Sequence, residues 1–275
     1  MDEVLNISEE DFRRIVSAVR TASKVDLIHY EPLLLCHRFE RFMQMQGYSS
    51  VSVLIEKIMQ DRVFVDILLN RIRVQTTEMF RDPQMWRELD QNVFPRLKGE
   101  SVIKIWVPDV CGDDELNTLL IMLDRNDLLS KSMVYATSAY AKVLADVKIG
   151  QIDAKKLEIS LDNYSRLEPN GSIEGYFERL DKYTCFSSKL LSNVIFIERS
   201  LIFDNPPDKG FNLVLFRNRA LNYSQYTRKS IIEKLYKSMI IGGYFILGIG
   251  ENLKGLEQVT NFVSMSKTEN IFRKL

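Results

Sequence analysis

The feature that most constrains the fold is an alternation of apolar runs with helix-like stretches, which begins at Ile103. Five runs rich in β-branched and aromatic residues have the composition of strands: IKIWV, MVYA, NVIFI, NLVLF and GGYFILGIG. Stretches with helical spacing follow three of these runs, at about 115–125, 139–147 and 225–239. Because strands and helices alternate, a mostly parallel sheet with helices on its faces is expected. The sequence therefore predicts an α/β domain over 99–275.

The N-terminal part of the chain has a different texture. The first 90 residues contain a single glycine, Gly47, and apolar residues recur there at helical spacing. Ser8 is suited to cap a first helix, and Gly47 to end a second. We therefore expect an all-α domain over 1–75, joined by a linker over 76–98. A polar, mixed stretch at about 150–192 interrupts the later alternation and predicts an inserted subdomain with short antiparallel strands.

Composition excludes several classes of protein. Lysine plus arginine and aspartate plus glutamate both number 37, so the net charge is zero, which argues against a general nucleic-acid binder. The three cysteines lie far apart and form neither a metal motif nor an even disulfide set, which favours a reducing compartment. The N-terminus lacks a signal-peptide core, and no apolar run is long enough to cross a membrane. A cytoplasmic protein that is not membrane-inserted is expected.

The loop after the first predicted strand is unusually acidic. It carries Asp109, Asp113, Asp114 and Glu115 around one glycine. Such oxygen ligands suit Mg²⁺ or Ca²⁺, but the spacing is not that of an EF-hand. A solvated acidic turn is favoured, and no metal site is predicted.

Six segments resemble, in order, six segments of the CheR-type chemotaxis receptor methyltransferases. They are YEPLLLCHRFERFMQMQGYSS, TTEMFRDPQMWREL, IKIWVPDVCGDDELNT, MVYATSAYAKVLADVKIGQI, NLVLFRNRALNYS and MIIGGYFILGIGENL. In the family the third segment has the form IWSAGCSTGEEPYS and the fifth the form FCRNVLIYF. The order holds from about residue 10 to residue 255, so the chain is identified as a member of that family.

The resemblance implies an α/β architecture in three parts. These are a Rossmann-like S-adenosylmethionine methyltransferase domain, a small β-subdomain inserted in it, and an all-α domain before it. The family transfers a methyl group from S-adenosylmethionine to glutamate side chains on the cytoplasmic helices of chemoreceptors. Because glutamate is already ionised at pH 7, positioning and exclusion of water would carry most of the catalysis.

The resemblance also assigns candidate site residues. Tyr223 and Arg81 would lie at the site of methyl transfer. The cofactor would be held by Gln75, Thr77, Arg81, Glu115, Ser138, Ser200, Leu201, Arg217 and Asn218. In the family the acidic position of Glu115 helps to hold the positively charged end of the cofactor.

Several positions depart from the family pattern. The two glycines of the first loop fall on Asp109 and Asp113, although glycine is what lets the backbone approach the cofactor. The acidic residue that accepts both ribose hydroxyls becomes Ser138, which is too short and uncharged to accept that pair. Three hypotheses stay open: a methyltransferase of weak activity, an inactive pseudoenzyme that acts as a signalling or scaffold protein, and a module that binds another adenosine compound.

The predicted partner surface is also changed. The family's basic second helix meets acidic receptor helices. In this chain Arg38 and Arg41 remain, while other basic positions of the helix have become Cys36, His37 and Phe42. We expect a protein substrate or signalling partner, with chemoreceptor helices as the candidate that Arg38 and Arg41 would contact.

Overall fold

The computed structural model describes residues 7–23, 25–72, 78–180, 183–254 and 260–275. They form two compact units, which are described separately. The first unit contains the described residues up to 72 together with Leu221–Lys229, and the second contains the others. The boundaries predicted for the linker at 76 and 98 stay predictions.

The first unit is built from helices, as predicted. They are α1 (Glu9–Ser23), α2 (Pro32–Gln46), α3 (Val51–Gln60) and α4 (Arg62–Ile72). The Ser8 hydroxyl accepts a hydrogen bond from the Asp11 amide at 3.1 Å, and Gly47 ends α2 with a φ of 68°. A left-handed residue at that place closes the last turn with little strain only if it is glycine. The apolar stripes of the four helices bury a core that includes Ile15, Phe39 and Leu68.

The second unit contains the remaining helices and all of the described strands. The strands are β1 (Ile103–Val107), β2 (Ser132–Ser138), β3 (Gln151–Ile152), β4 (Phe177–Arg179), β5 (Thr184–Phe186), β6 (Val194–Glu198), β7 (Phe211–Leu215), β8 (Met239–Ile246), β9 (Phe262–Ser264) and β10 (Ile271–Lys274). The helices are α5 (Pro83–Glu88), α6 (Phe94–Leu97), α7 (Asp114–Arg125), α8 (Ala141–Ile149), α9 (Ala154–Leu167), α10 (Ser188–Leu191) and α11 (Gln225–Ser238). The first residues of α11, up to Lys229, group with the first unit.

The main sheet has seven strands in the order β6-β2-β1-β7-β8-β10-β9. The five strands β6, β2, β1, β7 and β8 are parallel to one another. β10 runs antiparallel to both β8 and β9. The buried faces of β1 and β7 consist of branched and aromatic side chains, as the apolar runs predicted. The predicted α/β fold with a helical domain before it is confirmed.

The polar stretch at about 150–192 holds the second, smaller sheet. Its order is β3-β5-β4, with antiparallel pairs, as expected for the insertion. Three elements that were not predicted are the helix α9 and the terminal strands β9 and β10. The mean composition of α9 is polar, but Leu157 and Leu161 pack against the core. No helix in the described ranges combines the length and the hydropathy needed to span a bilayer.

Candidate functional site

The candidate site lies where the strand order of the main sheet reverses. β1 and β7 are parallel neighbours, and the chain leaves them toward opposite sides of the sheet. A crevice forms at the carboxyl ends of two such strands, and this is where open α/β sheets place their ligands. The loop after β1 carries Asp109 and leads into α7, whose first turn carries Glu115, and the loop after β7 carries Arg217 and Arg219. Sequence segments about 100 residues apart therefore meet at this point.

Glu115 is the centre of the site. It lies in the first turn of α7 and is 5% exposed. The Nη1 atom of Arg217 donates to its Oε1 at 3.3 Å, and the Nη1 atom of Arg219 donates to its Oε2 at 2.6 Å. Each carboxylate oxygen therefore has its own guanidinium partner.

Arg219 is almost completely removed from water, with 1% exposure. Burial alone would lower its pKa, but the charges of Glu115, Cys111 and Asp109 and the bond to Glu115 outweigh it and hold the pKa above its ordinary value. The side chain is therefore a permanent buried cation. Its Nε atom has no hydrogen-bond partner among the described residues.

Arg217 is held from three further directions. Its Nη2 atom donates to the Asp82 carboxylate at 2.7 Å and to the Arg81 carbonyl at 3.1 Å. Its guanidinium lies 5.5 Å from the ring centre of Trp86, in cation–π geometry. Asp82, Glu115, Arg217 and Arg219 thus form a cluster of two carboxylates and two guanidiniums, called here the site cluster.

Glu251 positions the turn that carries both arginines. Its carboxylate accepts backbone N–H groups from Asn218 at 2.8 Å, Ala220 at 2.6 Å and Gly248 at 2.7 Å. Gly248 is required for close approach, because a Cβ there would lie 2.2 Å from Asn218 Oδ1. The loop after β8 therefore fixes the turn after β7.

Left-handed backbone conformations are concentrated around the site. Five non-glycine residues in the described ranges have positive φ, and four of them border the site: Phe80, Asp82, Asp109 and Asn218. Asp109 has a φ of 53° at a position predicted to need glycine, a conformation that aspartate tolerates better than most residues. Asp113, the second such position, has a φ of −90° and needs no glycine. Backbone strain of this kind is characteristic of functional sites.

A second acidic group lies at the start of α7. Burial, followed by the charge of Asp113, raises the pKa of Asp114 to about 7. Burial also raises the pKa of Asp113 itself. The ammonium of Lys156 lies 3.5 Å from Asp114 Oδ2, which is too long for a strong charge-assisted bond. No group of three or more potential metal ligands was found among the described residues.

Ser138 ends β2 and is 1% exposed. Its hydroxyl has no hydrogen-bond partner among the described residues, and its carbonyl accepts from the Arg199 amide at 2.7 Å. The position predicted to meet a ribose is therefore closed to water.

A small cavity lies beside Glu115. Its volume is about 10 Å³, enough for one water molecule. It is lined by Glu78, Phe80, Arg81, Trp86, Glu115, Thr118, Arg217 and Asn218. Arg81 thus faces the cavity, and within the described residues it forms no ion pair.

Of the other predicted site residues, Ser200 and Leu201 are not part of this cluster. Gln75 and Thr77 lie outside the described residues. Ser200 begins a turn closed by Asp204, whose carboxylate accepts the Ser200 amide at 2.7 Å, and Leu201 is buried in that turn. Tyr223 belongs to the first unit, where its ring stacks on Tyr30 with 5.3 Å between centres.

The two arginines of α2 differ in their environment. The Arg38 guanidinium donates to the Ile72 carbonyl at 3.1 Å and to Asn222 Oδ1 at 2.7 Å, all within the first unit. Arg41 is exposed. The predicted partner contact of both arginines stays a prediction; Arg41 is open to solvent, whereas the guanidinium of Arg38 is used to hold α2 in place.

Sequence reasoning missed Arg219, Asp82 and Glu251. For Arg219 a signal was available, because the corresponding residue in the family segment FCRNVLIYF is valine, and an arginine there is a charge in an apolar place. Asp82 and Glu251 lie within segments that resemble the family, but their hydrogen-bond partners are distant in sequence, and no local pattern indicates that pairing.

Comparison with known proteins gives the family. The family model for the CheR methyltransferase SAM-binding domain matches residues 75–269, and that for the CheR methyltransferase all-alpha domain matches residues 10–72. The putative methyltransferase Cher3 of Pseudomonas putida is 23% identical over 264 residues, which make up 96% of each chain. The chemotaxis protein methyltransferase of Listeria monocytogenes is 22% identical, over 92% of this chain and 96% of its own length.

Among solved structures, a TehB-like SAM-dependent methyltransferase from Corynebacterium glutamicum has a TM-score of 0.38 at 12% identity, covering 70% of this chain and 95% of its own. The two family models together span most of the sequence. The chain therefore belongs to the CheR methyltransferase family, and its larger part is that family's S-adenosylmethionine-binding domain.

Proposed function

We propose that this chain is a CheR-family signalling protein that acts by binding another protein and does not transfer methyl groups from S-adenosylmethionine. The observation that carries the proposal is the saturation of Glu115, whose two oxygens are each paired with a buried guanidinium. The other described residues of the site are consistent with it.

The charge of the site does not fit the cofactor. S-adenosylmethionine has two cationic groups, an ammonium and a sulfonium, but only one carboxylate. Its net positive charge therefore requires a carboxylate from the protein. Glu115, the carboxylate that would meet these cations, already has a guanidinium on each of its oxygens. A further cation beside the fully buried Arg219 would be repelled in a region of low dielectric.

The ribose position does not fit it either. Ser138 is buried and cannot form the bidentate contact that a carboxylate gives to two ribose hydroxyls. No catalytic step through the cofactor is therefore assigned.

A second candidate is a protein-glutamate methyltransferase of weak activity. The observation in its favour is Arg81, which lines the cavity and forms no ion pair among the described residues. Its guanidinium would be free to bind the carboxylate of the cofactor's methionyl part.

The test is calorimetric titration of the full chain with S-adenosylmethionine and S-adenosylhomocysteine, repeated by thermal shift. The Listeria monocytogenes relative in the same buffer serves as the positive control. We expect no binding heat and no change in Tm up to about 1 mM ligand, equivalent to an affinity weaker than about −4 kcal/mol. A Kd of about 10 μM or tighter would overturn the proposal and favour the second candidate.

The partner is proposed to be a cytoplasmic protein with an acidic helical surface, such as the helices of a chemoreceptor. The support is the family relationship and the exposed guanidinium of Arg41 on α2. The cysteines Cys36, Cys111 and Cys185 are all unbridged, which is consistent with a reducing compartment.

A further inference from the structure

We propose that Arg219 is an internal ligand: its guanidinium fills the cation place on Glu115 that the cofactor fills in the family. This inference rests on the proposed function and deepens it, because it names the group that closes the site. It also predicts that removal of the Arg219 side chain opens a binding site for a small organic cation with a guanidinium or ammonium head.

The geometry of Arg219 is that of a bound ligand rather than of a surface ion pair. The Nη1 atom lies 2.6 Å from Glu115 Oε2, and the side chains of Arg219 and Glu115 are 2% and 4% exposed. A buried ion pair of this kind stabilises the fold only if every charged atom has a partner, since each charge has lost its hydration. The second oxygen of Glu115 is compensated by Arg217, so Arg219 completes the set.

Asp109 supports the same cation from the other loop. Its negative charge acts on Arg219 and favours the charged guanidinium. Asp109 adopts a left-handed backbone conformation, with a φ of 53°, in the loop that follows β1. Two departures from the family sequence, aspartate for glycine and arginine for valine, thus occur at neighbouring places and compensate each other in charge.

The position of Arg219 is set by the backbone rather than by Glu115 alone. Glu251 accepts the amides of Asn218 and Ala220, the residues on either side of Arg219. The turn would therefore keep its course when the Arg219 side chain is shortened. A cavity would then remain in which one oxygen of Glu115, Oε2, has lost its guanidinium partner, and such a site prefers a cation of the lost shape.

The first experiment is chemical rescue of Arg219→Ala in the full chain. The probe is ethylguanidinium, which corresponds to the atoms that the substitution removes. We expect Arg219→Ala to have a lower Tm than the wild type, and ethylguanidinium to raise that Tm saturably, by about 2–4 °C at tenfold excess over Kd. Ethylguanidinium should not raise the Tm of the wild type, because Arg219 already occupies the cation place on Glu115. It should not raise the Tm of Arg219→Ala/Glu115→Gln either, because that variant lacks the carboxylate that binds the cation.

A second variant, Asp109→Gly/Arg219→Val, restores the family's residues at both places. We expect it to bind ethylguanidinium as well, and to bind S-adenosylmethionine more tightly than the wild type does, by at least tenfold. The matched control is Arg166→Ala. Arg166 forms an exposed ion pair with Asp162 on α9, so its substitution removes no buried charge.

The proposal is overturned if neither variant shows a saturable rise in Tm with ethylguanidinium. It is also overturned if neither variant folds, because Arg219 would then be required for folding rather than occupying a ligand's place. Tight binding of S-adenosylmethionine by the wild type would instead contradict the proposed function, and the rescue by ethylguanidinium would still report on Arg219 separately.

Discussion

At the scale of single residues, Asp114 shows how burial in the first turn of α7 makes the site sensitive to pH. Its pKa is raised to about 7, mainly by burial, whereas the ordinary value for aspartate is 3.8. The folded chain therefore keeps a proton on Asp114 at pH values where the unfolded chain has lost it. Stability must fall as the pH rises from about 4 to about 7.

Replacement Asp114→Asn should remove this loss, because an amide stays neutral at every pH. Between pH 5 and pH 8, we expect the free energy of unfolding of the wild type to fall by about 1–3 kcal/mol relative to Asp114→Asn. Urea denaturation of both proteins at pH 5 and pH 8 measures these free energies of unfolding. The control is Asp146→Asn, whose carboxylate is 59% exposed and paired with Lys142. Equal pH slopes for the wild type and Asp114→Asn would contradict the prediction.

At the scale of elements, α2 shows that a retained basic residue can change its role. Arg38 connects α2 to the last carbonyl of α4 and to Asn222, whereas Arg41 on the same helix extends into solvent. The two arginines, three residues apart, therefore make a matched pair for mutagenesis.

Substitution Arg38→Ala should cost about 1–3 kcal/mol of stability, because two part-buried acceptors lose a charged donor. Arg41→Ala should change stability by less than about 0.5 kcal/mol. Chemical denaturation of the full chain gives both values. A stability loss as large for Arg41→Ala as for Arg38→Ala would show that Arg41 also has a structural role. Loss of partner binding without loss of stability is expected for Arg41 alone.

At the scale of the whole molecule, the balance of charge limits the classes of partner. Positive and negative side chains are equal in number, at 37 each. A protein that binds nucleic acid through its phosphates needs a surplus of lysine and arginine and shows steep salt dependence. We expect no change in the fluorescence anisotropy of labelled duplex DNA or single-stranded RNA at about 50 mM salt. Binding at low salt that disappears at high salt would reveal a basic face and contradict this expectation.

Much of the architecture follows from local sequence patterns. The branched and aromatic runs at β1 and β7 predict buried strands, because such residues fit a pleated sheet covered on both faces. The helical spacing of the N-terminal stretch predicts the first unit in the same way. The pattern failed at α9, where polar residues dominate the average and only a narrow stripe packs against the core.

The site could be predicted only in part. The segments that resemble the family identify Glu115 and Arg217, and the structure brings these two together at the sheet's switch point. Gln75 and Thr77 lie outside the described residues, and their predicted roles stay predictions.

The sequence alone determined the family, the two kinds of unit and the acidic and basic residues available to the site, because periodicity and ordered motifs are local properties. Only the tertiary structure decided how those charges are used. Arg219 and Glu115 are 104 positions apart, and no local rule pairs them. Once both are withdrawn from water by the sheet and α7, each needs the other, since a buried charge without a partner costs more than the fold could recover elsewhere. The pairing of Arg219 with Glu115 therefore follows from the burial of both charges.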